Sequence, residues 1–261
     1  MTRLAKLWRL IKTLLAMALF ALGSILASII LAPVLALVPY PSLIKRCWTR
    51  RIISSLARFY LRFLRPIGLI RLQLNAIDNL DQPGQSIIAN HPTLLDAILL
   101  MALLPHANFV VKAAMARNPV TACLVSMAGY IPNDFEGSDL INRSVEALQD
   151  GQSLVIFPEG TRTAAEQLKF QRGAAHIALQ ARCVIQPVLI DCQPVVLRKQ
   201  DKWHQVPCET PLFTLRTLAP VDLTTTAINN PIDTSQPISR QARELTRLLQ
   251  NKYARELQLP H

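Results

Sequence analysis

The order of apolar segments predicts an α/β protein. It should have a mostly parallel central sheet flanked by helices, preceded by an N-terminal membrane-attached helical segment. Three observations predict it. From Ile70 onward, short apolar runs of strand length alternate with longer runs of helical period. No charged residue occurs from Thr13 to Ile44. The charge is also divided unevenly: Met1–Ile77 holds twelve Lys/Arg and no Asp or Glu, while the rest holds sixteen Lys/Arg and seventeen Asp/Glu. The net charge of +11 therefore belongs to the N-terminal part, which argues against a nucleic-acid binder. With 261 residues, 51% of them apolar and only 17% charged, the chain is neither disordered nor a small disulfide scaffold.

The elements follow in order. Leu14–Val38 is an apolar run of about 37 Å at helical rise, longer than a hydrocarbon core of about 30 Å. It is too long for the apolar part of a secretory signal. Pro33, Pro39 and Pro41 interrupt it, and basic residues flank both sides, so a single span and a re-entrant helix pair broken near Pro33 both fit. In Arg51–Arg65, the arginines 51, 58, 62 and 65 share one helical face, as in a basic amphipathic helix on anionic lipid. A core helix with a solvated charged stripe fits the same pattern. Residues 1–66 are thus read as anchor and amphipathic helix, and 67–261 as the α/β domain.

Strands are expected at Ile70–Leu74, Ser86–Ala89, Asn108–Lys112, Ser153–Phe157 and Val184–Ile190, and Gly129–Pro132 is a turn into a short strand. Helices are expected after Pro92 and at Val120–Met127, Ser138–Leu148, Phe170–Arg182 and Ile238–Leu257. Residues 191–236, rich in Pro and Thr, hold no long period.

Two motifs leave strand ends, where sites gather in such sheets. In Asn90-His91-Pro92-Thr93-Leu94-Leu95-Asp96, the Asp96 carboxylate can fold back onto the His91 imidazole. It would accept the Nδ1 proton and leave Nε2 as a base. On its own a His-x4-Asp pair carries little. The second motif, Phe157-Pro158-Glu159-Gly160-Thr161-Arg162, follows an apolar strand. Gly160 opens the backbone there, and Thr161 and Arg162 can clamp a phosphate.

Together these motifs resemble the glycerolipid acyltransferases, the 1-acyl-glycerol-3-phosphate acyltransferase-like enzymes. That family carries Asn-His-x4-Asp followed by Phe-Pro-Glu-Gly-Thr-Arg. Val111-Lys112, Gly129-Tyr130-Ile131, Phe170-Gln171-Arg172-Gly173 and Val184-Ile185-Gln186-Pro187-Val188 also look similar to its other blocks. The resemblance spans about Ser86 to Ile190. It implies a membrane-bound enzyme of lipid metabolism and phospholipid biosynthesis, on the cytoplasmic side of the inner membrane. This enzyme moves an acyl chain from acyl-CoA or acyl-carrier protein, as co-substrate, to a lysophospholipid hydroxyl. His91 and Asp96 are implied as catalytic. Glu159, Gly160, Thr161, Arg162, Lys112 and Arg172 are implied as substrate-binding, with no metal, cofactor or nucleic acid.

One departure bears on the acceptor. Where the family's second block commonly ends in an arginine that helps hold the acceptor phosphate, this chain reads Asn133-Asp134, with Glu136 nearby. Acidic side chains repel phosphate, so a non-phosphate lipid or specialised-pathway alcohol is the alternative acceptor. A hydrolase reading lacks a Gly-x-Ser-x-Gly elbow. A non-catalytic lipid-binding protein of the same fold would not need His91. The five cysteines are scattered without a Cys-x2-Cys pair, which fits a reduced setting and offers no zinc site or disulfide framework.

Overall fold

The structure is a computed structural model that describes residues 3–31, 34, 37, 42–77, 80–133, 137–162, 168–197, 201, 207, 209–223 and 235–258. In chain order its elements are α1 (Arg3–Leu26), extended by a π-helical turn (Ala27–Leu31), α2 (Ser42–Leu64), β1 (Arg71–Asn75), β2 (Ser86–Ala89), α3 (Leu95–Leu103), β3 (Asn108–Val111), α4 (Ala113–Arg117), α5 (Ala122–Ala128), β4 (Ile131–Pro132), α6 (Gly137–Gln149), β5 (Leu154–Ile156), α7 (Gly173–Ala181), β6 (Val184–Gln193), β7 (Leu212–Thr217), β8 (Val221–Asp222) and α8 (Ile238–Glu256).

The strands form one eight-stranded sheet in the order β1-β7-β6-β2-β5-β3-β4, with β8 paired to β6 beside that path. From β6 to β4 every neighbouring pair is parallel. β7 and β8 run antiparallel to β6, and β1 runs parallel to β7. The expected parallel sheet is therefore its centre, with a mixed edge. Both antiparallel strands come from residues 191–236, where the sequence shows no long period. β7 buries only Phe213 and Leu215 completely, too short an alternation to stand out among prolines and threonines.

The central strands are buried on both faces, which is why SIIA and LVI read as unbroken apolar runs rather than alternating ones. Helix starts differ from the expected ones. Pro92 suits the first helical position, but α3 begins at Leu95, because Thr93 makes a side-chain turn that accepts the Leu95 N–H at 3.2 Å. The expected helix at Phe170 starts at Gly173. The short α4 was not foreseen.

The N-terminal segment is bound to the domain. On α2, Ser54, Ala57, Leu61 and Leu64 are buried, and the last three join Ile70, Leu95, Leu99 and Phe213 in one apolar cluster. Arg50, 4% exposed, donates to Ala128 O (2.8 Å), His106 O (3.1 Å) and Gln152 Oε1 (2.9 Å). Of the stripe expected on lipid, Arg51, Arg62 and Arg65 are exposed, while Arg58 is half-buried and donates to Ala102 O at 3.3 Å.

Helix α1 does not leave the domain. Near its start, Arg9 reaches Thr210 Oγ1 (3.2 Å) and Lys12 donates to Ile67 O (2.9 Å). Beyond its end, Ser28 donates to Val120 O. Lys12 and Ser28 lie about 24 Å apart at helical rise. The helix thus crosses from the β1–β7 edge toward the α4–α5 side. Ala16 seats it in the α2–α3 cluster, and Phe20 meets Tyr60 with ring centroids 5.4 Å apart. A helix bonded near both ends lies against the domain, while Lys6–Ile30 keeps the length and apolarity of a membrane span. Pro33, Pro39 and Pro41 lie outside the described residues.

Candidate active site

β2 delivers Asn90 and His91 to the carboxyl end of the parallel strands, and the turn before α3 returns Asp96 to them. Asp96 Oδ2 lies 2.9 Å from His91 Nδ1. The same oxygen accepts the Thr93 N–H at 2.6 Å, and Oδ1 accepts the Thr93 hydroxyl at 2.6 Å. Asp96 is fully buried, while the His91 side chain keeps 16% exposure. Burial pushes the Asp96 carboxyl above the usual carboxylate range, and hydrogen bonds from His91 and Thr93 pull it back. A carboxylate held this way fixes the proton on Nδ1 and leaves the Nε2 lone pair as a base.

The second motif comes alongside from β5. Phe157 stacks on the His91 ring, centroids 4.3 Å apart at 28°. Glu159, 6% exposed, accepts the His91 backbone N–H at 3.0 Å. The two motifs, 68 residues apart in sequence, are thus joined at the imidazole. Gly160 adopts φ +67 and donates its N–H to Phe157 O at 3.1 Å. The positive φ is why glycine stands there, and that turn occupies its amide. Thr161 and Arg162 are half-buried beyond it, and Arg162 Nη1 donates to Leu197 O at 2.8 Å.

Lys112 and Arg172 are exposed. Lys112 follows β3 and opens α4. Arg172 precedes α7, and the Gln171 N–H bound to Pro158 O at 2.7 Å draws it back toward the Glu159 loop. Both sit at the end of the sheet where β2 releases His91. Asn133 is engaged elsewhere: its Oδ1 accepts the Ala113 N–H at 2.9 Å, bracing the turn from β3 into α4. Asp134 and Glu136 lie outside the described residues.

Sequence reasoning assigned no role to Thr93 or Phe157. Thr93 was hidden by the expected helix start at Pro92, which puts it inside the first turn, whereas the later start at Leu95 leaves its hydroxyl to bind Asp96. The Phe157 stack was hidden because only folding brings it to the imidazole. Among the described residues, no group of three or more His, Cys, Asp or Glu converges as a metal site.

Residues 71–191 match the protein-family model described as Acyltransferase. A lyso-ornithine lipid O-acyltransferase from Pseudomonas aeruginosa is 40% identical over 107 residues, covering 40% of this chain and 41% of that protein. A 1-acyl-sn-glycerol-3-phosphate acyltransferase from Helicobacter pylori is 32% identical over 130 residues, covering 47% and 55%. The chain thus spans about half or less of the length of these curated relatives. The crystal structure of the 1-acyl-sn-glycerophosphate acyltransferase PlsC from Thermotoga maritima superposes with a TM-score of 0.70, over 96% of this chain and 97% of that one, at 17% identity. That likeness establishes the fold. The family match includes both motif loops, and over residues 71–191 this chain is similar to the acyltransferase family.

Proposed function

We propose that this protein transfers an acyl chain from a thioester, acyl-CoA or acyl-carrier protein, to the hydroxyl of a membrane lipid. One observation carries the reading: a fully buried Asp96, held by Thr93, binds His91 Nδ1 at 2.9 Å at the mouth of the sheet. His91 Nε2 takes the hydroxyl proton as the oxygen attacks the thioester carbonyl. The tetrahedral adduct collapses, the carbon–sulfur bond breaks, and the imidazolium returns the proton to the thiolate. General-base help of this kind is worth roughly 10²–10⁴-fold. Asp96 orients the ring and stabilises its charged form. Arg162, steadied by Leu197, and Thr161 hold phosphate on acceptor or donor, with Lys112 and Arg172 adding positive charge.

The acceptor proposed first is a lysophospholipid such as 1-acyl-glycerol-3-phosphate. A second reading rests on a specific observation. The acidic residues Asp134 and Glu136 stand where the resembling family commonly has an arginine. The Pseudomonas relative, at 40% identity, is named for a lyso-ornithine lipid. Acidic side chains suit an amine-bearing, phosphate-free headgroup better than a phosphate.

The site lies at a lipid surface in this reading, on the cytoplasmic side of the membrane. Leu4, Trp8, Leu15, Phe20, Ile29 and Ile30 on the N-terminal segment are 47–76% exposed, and Phe59 on α2 is 60% exposed. So large an apolar surface marks an interaction site. A helix held flat against its domain inserts into one leaflet rather than crossing two.

The test is a donor-by-acceptor screen with thiol release as readout. It offers acyl-CoA and acyl-carrier protein against lysophosphatidate, lyso-ornithine lipid and uncharged long-chain alcohols. Thiol release that depends on one lipid acceptor is expected. His91→Ala and Asp96→Ala should abolish it while leaving the protein folded, and wild-type turnover in His91→Ala would overturn the assignment. Asp96→Asn is expected to cost about 10⁴ in rate, since it no longer holds the required tautomer.

A further inference from the structure

Pro187 stands in the middle of β6, opposite Ile88 on the strand that leads to His91. Its carbonyl faces away from β2 and accepts the Leu218 N–H at 2.9 Å, so the donor that β6 turns toward Ile88 is the Val188 N–H. A side chain sits between that N–H and the Ile88 carbonyl. The Tyr253 hydroxyl, reaching in from α8, donates to Ile88 O and accepts the Val188 N–H at 3.0 Å. Past the last backbone pair, Ala89 with Val188, the Asn90 carboxamide joins Ile190 in both directions, each bond 2.7 Å. On either side of the junction, then, the strands are tied through side chains, and His91 is the next residue.

We propose that Tyr253 is a positioning residue of the catalytic dyad: its hydroxyl splices β2 to β6 and so sets where His91 stands against the Glu159 loop. The proposal rests on the reading of His91 as the general base. Tyr253 is wholly buried, and burial keeps its hydroxyl protonated and able to donate. It lies near enough to Glu159 to feel that charge, and Glu159 holds the His91 N–H. The same helix also steadies the far end of that loop. Gln250 Oε1 accepts the Phe170 N–H at 3.2 Å, and the Phe170 ring meets Tyr253 edge-on at 5.1 Å. α8 therefore touches both halves of the site from beneath, although it lies outside residues 71–191. A phenylalanine would supply the same packing; only the hydroxyl completes the ladder.

The test compares Tyr253→Phe with Leu249→Val, a core change one turn earlier on α8 that touches no strand hydrogen bond. Full-length protein in detergent, labelled with 15N-histidine, is examined by NMR, the His91 imidazole being assigned by its loss in His91→Ala. In Tyr253→Phe the His91 ring resonances are expected to move and kcat to fall about 10- to 100-fold, with KM for both substrates unchanged, as for a misplaced catalytic group. Leu249→Val should lower the melting temperature and leave the resonances and kcat in place. p-Aminophenylalanine at position 253 restores a hydrogen-bonding group and should restore the His91 signal. It also serves if Tyr253→Phe does not fold. Unmoved His91 resonances in Tyr253→Phe, equal movement in Leu249→Val, or no restoration by the amino analogue would each overturn the proposal. The NMR readout needs no turnover, so absence of acyl transfer in the wild type refutes the functional reading and leaves this one decided by the spectra.

Discussion

Helices α1 and α3 are built from similar apolar residues and end in opposite surroundings. In α3, Leu99 and Leu100 are 1% and 0% exposed, enclosed by α2 and the sheet. In α1, Leu4, Trp8 and Leu15 are 76%, 59% and 57% exposed, and Ala16 is the residue that reaches the core. The difference teaches that apolarity states only that a helix avoids water. Which apolar medium it enters depends on what surface the rest of the fold offers. α3 lies over the strands that carry His91 and is covered. α1 lies over the outside of that layer, and lipid is the medium proposed to cover it.

The sharpest way to break the comparison is to place a carboxylate on each helix. Leu100→Asp should give no folded protein, because an unpaired buried charge costs several kcal/mol, a large part of a domain's stability. Leu15→Asp should change stability in detergent by no more than about 0.5 kcal/mol. Its binding to vesicles of anionic phospholipid should fall roughly 10- to 100-fold, since burying one leucine is worth about 1.5–3 kcal/mol. Calorimetry and vesicle co-sedimentation read the two effects, and equal unfolding in both variants would erase the distinction drawn here.

Milder changes sharpen it. Leu99→Ala should cost about 2–5 kcal/mol in denaturant unfolding through the cavity it leaves, whereas Leu15→Ala should register only in vesicle partitioning. Smallest of all is the surface control. Arg216 and Glu256 pair at 2.6 Å, both about a third or more exposed, and Arg216→Ala should cost less than about 1 kcal/mol and leave both lipid binding and turnover unchanged.

The same contrast governs what could be read beforehand. His91 and Asp96 were legible because five residues and one helix start bring them together, so their pairing is a local matter. The helices α3 and α8 were legible from helical period. The Glu159 contact with the His91 N–H, the Phe157 stack and the Tyr253 splice were not, because each joins residues 65 or more positions apart through strand order. β7 and β8 were missed for a related reason. Their few buried residues make sense only beside β6, and nothing nearby in sequence announces that partner.

By itself, then, the sequence determined the alternation of strands and helices, the local His91–Asp96 pair, the turn glycine at 160 and the presence of an uncharged apolar helix. Side-chain period, short-range hydrogen bonding and backbone sterics act within a few residues, so they are written directly in the order of amino acids. Only the tertiary structure decided that α1 lies across the domain instead of leaving it, that the edge of the sheet turns antiparallel, and that Tyr253 bridges the strands beside Pro187. Those outcomes depend on which surfaces meet once loops close, and burial rewards contacts without regard to their distance along the chain.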